Sequence, residues 1–126
     1  MKDRFLIVDG IRAATRVCHQ AAIDGGWWND ALTGAPLDRN KGELLALIHS
    51  EISEALEGVR KDLVDDKLPH RKAVEVELAD ALHRIFDFAG AFHLDVGGAL
   101  VEKMDFNATR PDHKLEQRRL AHGKKF

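Results

Sequence analysis

Apolar residues recur at helical spacing in four stretches of the chain. Ile7, Ile11, Ala14, Cys18 and Ala21 follow this period and predict a helix over about residues 4–23. Gly10 weakens it slightly, and Asp24-Gly25-Gly26 ends it. Glycine, asparagine and proline then punctuate a loop over 25–40. Leu44, Ile48, Ile52, Ala55, Leu56 and Val59 predict a second helix over about 41–61. Gly58 falls near its stripe, where a small residue lets another backbone approach. A charged connector, 62–69, is expected to be exposed. A third helix follows over about 70–93, carried by Ala73, Ala81, Ile85, Phe88 and Phe92. Asp95 to Gly98 breaks the pattern, with Gly97-Gly98 marking the turn. Leu100, Val101, Met104 and Ala108 give a fourth helix over about 99–109, which Pro111 ends. Residues 112–126 are polar and basic and read on their own as a disordered tail. The chain is therefore expected to be all-α, and its 126 residues fit a single domain over 1–126.

Two helices depart from a plain amphipathic pattern. On the second, Glu51 projects inside the apolar stripe and Glu54 lies at its border. On the third, Glu77 lies among Ala73, Val74, Ala81 and Phe88, with Asp80 at the border. Residues three apart share a helix face, so each phrase, Glu51-Ile52-Ser53-Glu54 and Glu77-Leu78-Ala79-Asp80, presents a carboxylate pair. Carboxylates facing a core are costly and repel one another, so something positive must offset them. Mg²⁺, which takes oxygen ligands and keeps several waters, suits the need. Two plainer accounts stay open. The acids are solvated, or they pair with arginine, for which Arg84 projects close to Glu77.

Composition narrows the classes. Nineteen Lys and Arg against 21 Asp and Glu give a net charge of −2, which supplies no general field for a nucleic-acid polymer. Local cations are still available. Lys103, Asn107 and Arg110 recur at i, i+4 and i+7 on the fourth helix and suit phosphate oxygens, or form a solvated basic face. Trp27 and Trp28, the only tryptophans, sit in the first loop, where they stack on a flat base or plug the end of a helical bundle. The single Cys18 rules out an internal disulfide and fits a reducing cytoplasm, and its helical setting suggests packing. No apolar run reaches the length of a membrane span and none reads as a signal peptide. The seven histidines show no compact zinc-ligand spacing.

The acidic phrases carry a resemblance. E-x-x-E on one helix, about two dozen residues, then E-x-x-D on the next resembles the MazG-type all-α nucleoside triphosphate pyrophosphohydrolases. Ser50 to Glu57 and Glu77 to Ala81 are similar to that family's two core motifs, and Lys103 to Pro111 to its third element. The ending His122-Gly123-Lys124-Lys125 resembles the short single-domain members. The resemblance covers roughly residues 20–126. It implies a four-helix bundle completed by oligomerisation, as a homodimer or a dimer of dimers. It implies Mg²⁺, with Mn²⁺ as a possible substitute, held by Glu51, Glu54, Glu77 and Asp80, with Glu54 as base toward the attacking water. The substrate would be a ribo- or deoxynucleoside triphosphate, cleaved to a monophosphate and pyrophosphate in clearing the nucleotide pool. Lys103, Asn107 and Arg110 would grip phosphates, Trp27 and Trp28 would meet the base, and Lys124 in the tail would add a phosphate contact.

Two other classes compete. A non-enzymatic helical module would use the acids in salt bridges alone. A di-iron carboxylate bundle needs Glu-x-x-His on two helices, and the chain offers one near match, Asp80-Ala81-Leu82-His83.

Overall fold

The computed structural model describes residues 1–126, and the chain is all-α. Five α-helices follow in order: α1 (Arg4–Asp24), α2 (Lys41–Arg60), α3 (Ala73–Ala91), α4 (Val96–Thr109) and α5 (Leu115–Arg118), with a 3₁₀ turn at Pro111–His113. Two isolated bridges, Asn29 with Pro36 and Val64 with Lys72, are the only extended pairings. The chain forms two compact units. One is Ala14–Leu94. The other joins Met1–Ala13 to Asp95–Phe126, so α1 contributes to both.

The Ala14–Leu94 unit is built on the antiparallel pair α2 and α3. The side chain of Asn40 accepts the Glu43 N–H at 3.0 Å and starts α2. Small residues make the buried faces: Ala55 and Gly58 on α2, Ala73, Ala81 and Ala89 on α3. A methyl group on Gly58 would lie 3.1 Å from the Ala73 Cβ and 3.3 Å from the Val74 nitrogen, the close approach that a small residue at this position suggests. Gly90 receives α1 in the same manner, with His19 where a Cβ would stand.

The connector between α2 and α3 differs from the exposed charged run expected. Asp62 takes a left-handed φ of 48°, and Asp65 is buried, accepting the Lys67 and Leu68 N–H groups at 3.0 and 2.7 Å. The Ala73 N–H donates to the Leu63 carbonyl, so the backbone before it is committed to the connector and α3 starts at Ala73 rather than near 70.

At the far end of α3 the turn is made earlier than Gly97-Gly98. His93 carries φ 56° and the Leu94 N–H closes back on the Ala89 carbonyl. Asp95 then caps α4 by accepting the Gly98 N–H at 3.1 Å, which draws both glycines into the first helical turn. Gly97 is buried because a Cβ there would lie 3.1 Å from the Val8 carbonyl oxygen on α1. Val8 and Val101 are the buried apolar residues of this unit, and Arg4–Asp105 and Arg12–Asp95 ion pairs flank them. The tail, expected to be disordered when read alone, folds back on itself. Arg118 donates to the carbonyl oxygens of Lys124 and Lys125 at 3.1 and 3.0 Å. No helix is long and apolar enough to cross a membrane.

Candidate metal centre

The packed α2–α3 pair brings the two acidic phrases side by side, with Glu51 buried between the helices. Glu51, Glu77 and Asp80 each bring one carboxylate oxygen to within 4.8 Å of the others. Opposite ligands of a Mg²⁺ ion are separated by about 4.2 Å, twice its oxygen distance, so small side-chain rotations would close this set on an ion. The three acids are graded in depth. Glu51 is buried at 7 % exposure, Glu77 is half-buried and Asp80 is exposed. Glu54, one turn from Glu51, is exposed and stands outside the triad but beside Glu77.

The electrostatics agree with a shortage of positive charge. Burial first, and then the adjacent Glu54 and Glu51 carboxylates, push the Glu77 carboxyl from 4.5 up to about 7. This group therefore keeps its proton to far higher pH than an ordinary carboxyl, because it is partly buried and crowded by two other acids. A hard dication would supply the positive charge, and three converging carboxylates with no sulfur or nitrogen ligand are donors such an ion takes. One cation already touches the cluster. The Arg84 Nε donates to the Glu51 Oε1 at 2.8 Å. The sequence left Arg84 as a partner for Glu77; the structure pairs it with Glu51.

A pocket of about 480 Å³ opens beside the cluster within the same compact unit. Glu51, Asp80, Arg84, Trp27, Arg39 and Asp87 are among the residues that line it. Trp27 is 66 % exposed, its indole open to the pocket. Trp28 is placed differently from its neighbour. Its Nε1 donates to the Asp87 Oδ1 at 2.9 Å, its ring meets the edges of His19 and Phe92, and the Arg39 guanidinium lies 5.1 Å above it. Asp87 is also 2.8 Å from the His19 Nδ1, so one carboxylate oxygen ties α1, the loop and α3 together. His83 is exposed and lines the pocket without joining the carboxylate triad. Cys18 is half-buried, and burial, then the Asp87 charge, push its thiol up, away from a reactive thiolate.

Lys103, Asn107 and Arg110 belong to the other compact unit. Each is engaged or enclosed there. The Lys103 ammonium sits 4.8 Å over the Phe106 ring. The Asn107 Oδ1 is buried without a partner. Arg110 grips Asp112 through two nitrogens at 3.1 and 2.8 Å. Lys124 lies in the folded-back tail, beside small pockets made by the tail itself.

Sequence reasoning passed over Arg39 and the His19–Asp87 contact. Arg39 offered no periodic signal, because it sits in the loop just before the Asn40 cap. Asp87 could be placed on the acidic side of α3 by its seven-residue offset from Asp80, but its partners come from segments distant in sequence.

Comparison with known proteins finds no match among family models, curated proteins or solved structures.

Proposed function

We propose that the protein is a dication-dependent nucleoside triphosphate pyrophosphohydrolase of the MazG type. The observation that carries this is the convergence of Glu51, Glu77 and Asp80 on one point beside a pocket. The motifs in Ser50–Glu57 and Glu77–Ala81 add the family resemblance. Glu51, Glu77 and Asp80 would hold the ion, with Glu54 flanking them; Mg²⁺, or Mn²⁺ in its place, fits the all-oxygen set. When bound, such an ion neutralises phosphate charge and lowers the pKa of a coordinated water.

The chain's own groups do the rest. The rigid α2–α3 pair fixes the carboxylates before substrate arrives, so little reorganisation is needed. Glu54, exposed beside Glu77, takes the proton of the water that attacks the α-phosphorus. The α–β anhydride bond breaks, giving a nucleoside monophosphate and pyrophosphate. Trp27 offers its open indole face to the base, while Trp28 is committed to holding the loop on Asp87. Lys103, Asn107, Arg110 and Lys124 belong to the other compact unit, and the resemblance assigns them phosphate contacts.

The protein would act as a homodimer or a dimer of dimers that completes a four-helix arrangement. Leu45, Ile52, Leu56 and Val59 form a stripe along α2, and Leu78 and Leu82 one along α3. All are 46–61 % exposed in the single chain, an apolar surface that a second copy would cover.

Pyrophosphate release from a panel of ribo- and deoxynucleoside triphosphates, with Mg²⁺ and with chelator, tests the proposal. Mg²⁺-dependent release that Glu54→Gln abolishes is expected. No release from any nucleotide, with a melting temperature indifferent to Mg²⁺, would refute it. That result would favour the second reading, a non-enzymatic helical module, to which the 2.8 Å Arg84–Glu51 pair lends support as an internal salt bridge.

A further inference from the structure

The Arg84–Glu51 pair has an uneven geometry. The Glu51 side chain is 10 % exposed and that of Arg84 is 41 % exposed. Arg84 engages Glu51 through Nε alone, leaving both terminal nitrogens without a protein partner at the pocket. A guanidinium at a settled structural salt bridge more often uses two parallel bonds, as Arg110 does with Asp112 here. Arg84 also follows Asp80 by four residues and Glu77 by seven, so it shares their face of α3. Its charge therefore stands at the position of a counter-ion to the acid cluster. Arg39 lines the same pocket, half-buried over Trp28 and paired with no carboxylate.

We infer that Arg84 is an exchangeable counter-ion: it holds Glu51 until a dication takes that carboxylate, and then, with Arg39, it grips phosphate oxygens of the ligand in the pocket. The inference rests on the metal-site reading given above and deepens it by assigning the anion grip. An arginine stays protonated at any working pH, so it cannot leave Glu51 by losing its charge and can only be displaced by another cation. With Glu51 turned to the ion, the full fork of Arg84 becomes available. A fork suits phosphate, because two N–H groups meet two oxygens. The order of events follows from charge alone. Without the ion, Arg84 is engaged and the four carboxylates repel a polyphosphate. With it, the cluster is neutralised and two guanidinium groups face the anion.

Isothermal titration calorimetry on the full chain separates the steps, first with Mg²⁺ alone and then with inorganic tripolyphosphate at saturating Mg²⁺. Arg84→Met removes the competitor, so Mg²⁺ is expected to bind about two- to fivefold tighter, the range of a partly exposed ion pair. Tripolyphosphate is expected to bind the same variant at least about tenfold more weakly, the loss of a charge-assisted pair. Arg84→Lys keeps the charge and should restore wild-type Mg²⁺ affinity. Arg39→Gln, away from the acids, should weaken tripolyphosphate and leave Mg²⁺ binding unchanged; it also serves if Arg84→Met, which strands the Glu51 charge, does not fold. Wild type binding Mg²⁺ while Arg84→Met binds it equally or less tightly would overturn the exchange. Tripolyphosphate affinity indifferent to Arg84→Met or to Arg39→Gln would overturn the grip. Wild type and variants all failing to bind Mg²⁺ would instead bring down the metal-site reading, and the exchange with it.

Discussion

Replacing Glu77 with glutamine alters one charge and almost no volume, and its effect should reverse sign with the metal. Without the ion, the Glu77 carboxyl titrates at about 7 rather than 4.5. That difference corresponds to about 3 kcal/mol. The side chain is only half-buried, and solvent screening reduces the figure to on the order of 1–2 kcal/mol. The sign follows from proton counts. Below pH 4.5 the carboxyl is protonated in folded and unfolded chains alike, and nothing is lost. Between 4.5 and 7 the unfolded chain has released the proton that the folded chain keeps, so stability falls as pH rises. Above 7 the full cost is present. Glutamine, a mimic of the neutral acid, should therefore raise the melting temperature in chelator at pH 8 by about 4–8 °C, and change it little at pH 4.5. Adding Mg²⁺ should raise the wild-type melting temperature and raise that of Glu77→Gln much less, because a ligand oxygen has lost its charge. Differential scanning calorimetry at the two pH values, with and without Mg²⁺, measures all four cases. A variant that melts lower than wild type in chelator at pH 8 would refute the crowded-carboxylate account. A gain of equal size at both pH values would do the same.

Two further substitutions test the scaffold. Gly90→Ala would place a Cβ 2.6 Å from the His19 Cβ and 2.9 Å from its Cγ. Overpacking costs about 1–3 kcal/mol and the better helix propensity returns about 1, so urea unfolding should show a net loss of up to about 2 kcal/mol. Asn40→Ala deletes the cap on the Glu43 N–H and should cost about 1 kcal/mol by the same measurement, with the α3 end of the unit unaffected.

Helix existence was legible because the apolar period is local. α1 and α2 fall within a residue or so of the expected bounds. The burial of Glu51 was legible only in part: it shares the buried side of α2 with Leu44, Ala55 and Gly58, while Ile52, Leu56 and Val59 of the same predicted stripe are exposed in the single chain. What failed to show were features made by backbone hydrogen bonds. Asp65 looked like one more charge in an exposed run, yet its side chain serves two N–H groups and is buried for it. Gly97-Gly98 looked like a turn, yet His93 makes the turn through its left-handed φ, which lets the next N–H, that of Leu94, close on the Ala89 carbonyl. Partner choice was likewise hidden. Projection on one helix brings Arg84 near Glu77, but only the packing of α2 on α3 sets Glu51 closer. The two tryptophans, adjacent in sequence, have opposite surroundings, which no single-chain pattern distinguishes.

The seams of the Ala14–Leu94 unit are made of alanine and glycine, and this inverts the usual profile of mutational tolerance. Ala22, Ala55, Ala73, Ala81 and Ala89 are its buried apolar positions almost to the exclusion of larger side chains, and Leu44 is the exception. Truncation has little left to remove at such sites, so the familiar damage from large-to-small changes is scarce here. Enlargement is another matter, because each added methylene must find room in an already buried seam, and at Gly58 it meets the α3 backbone itself. A saturation scan of this unit should therefore find its intolerant positions among its smallest residues, while the bulky leucines on the outer faces of α2 and α3 accept shorter side chains in the single chain with little effect on its fold.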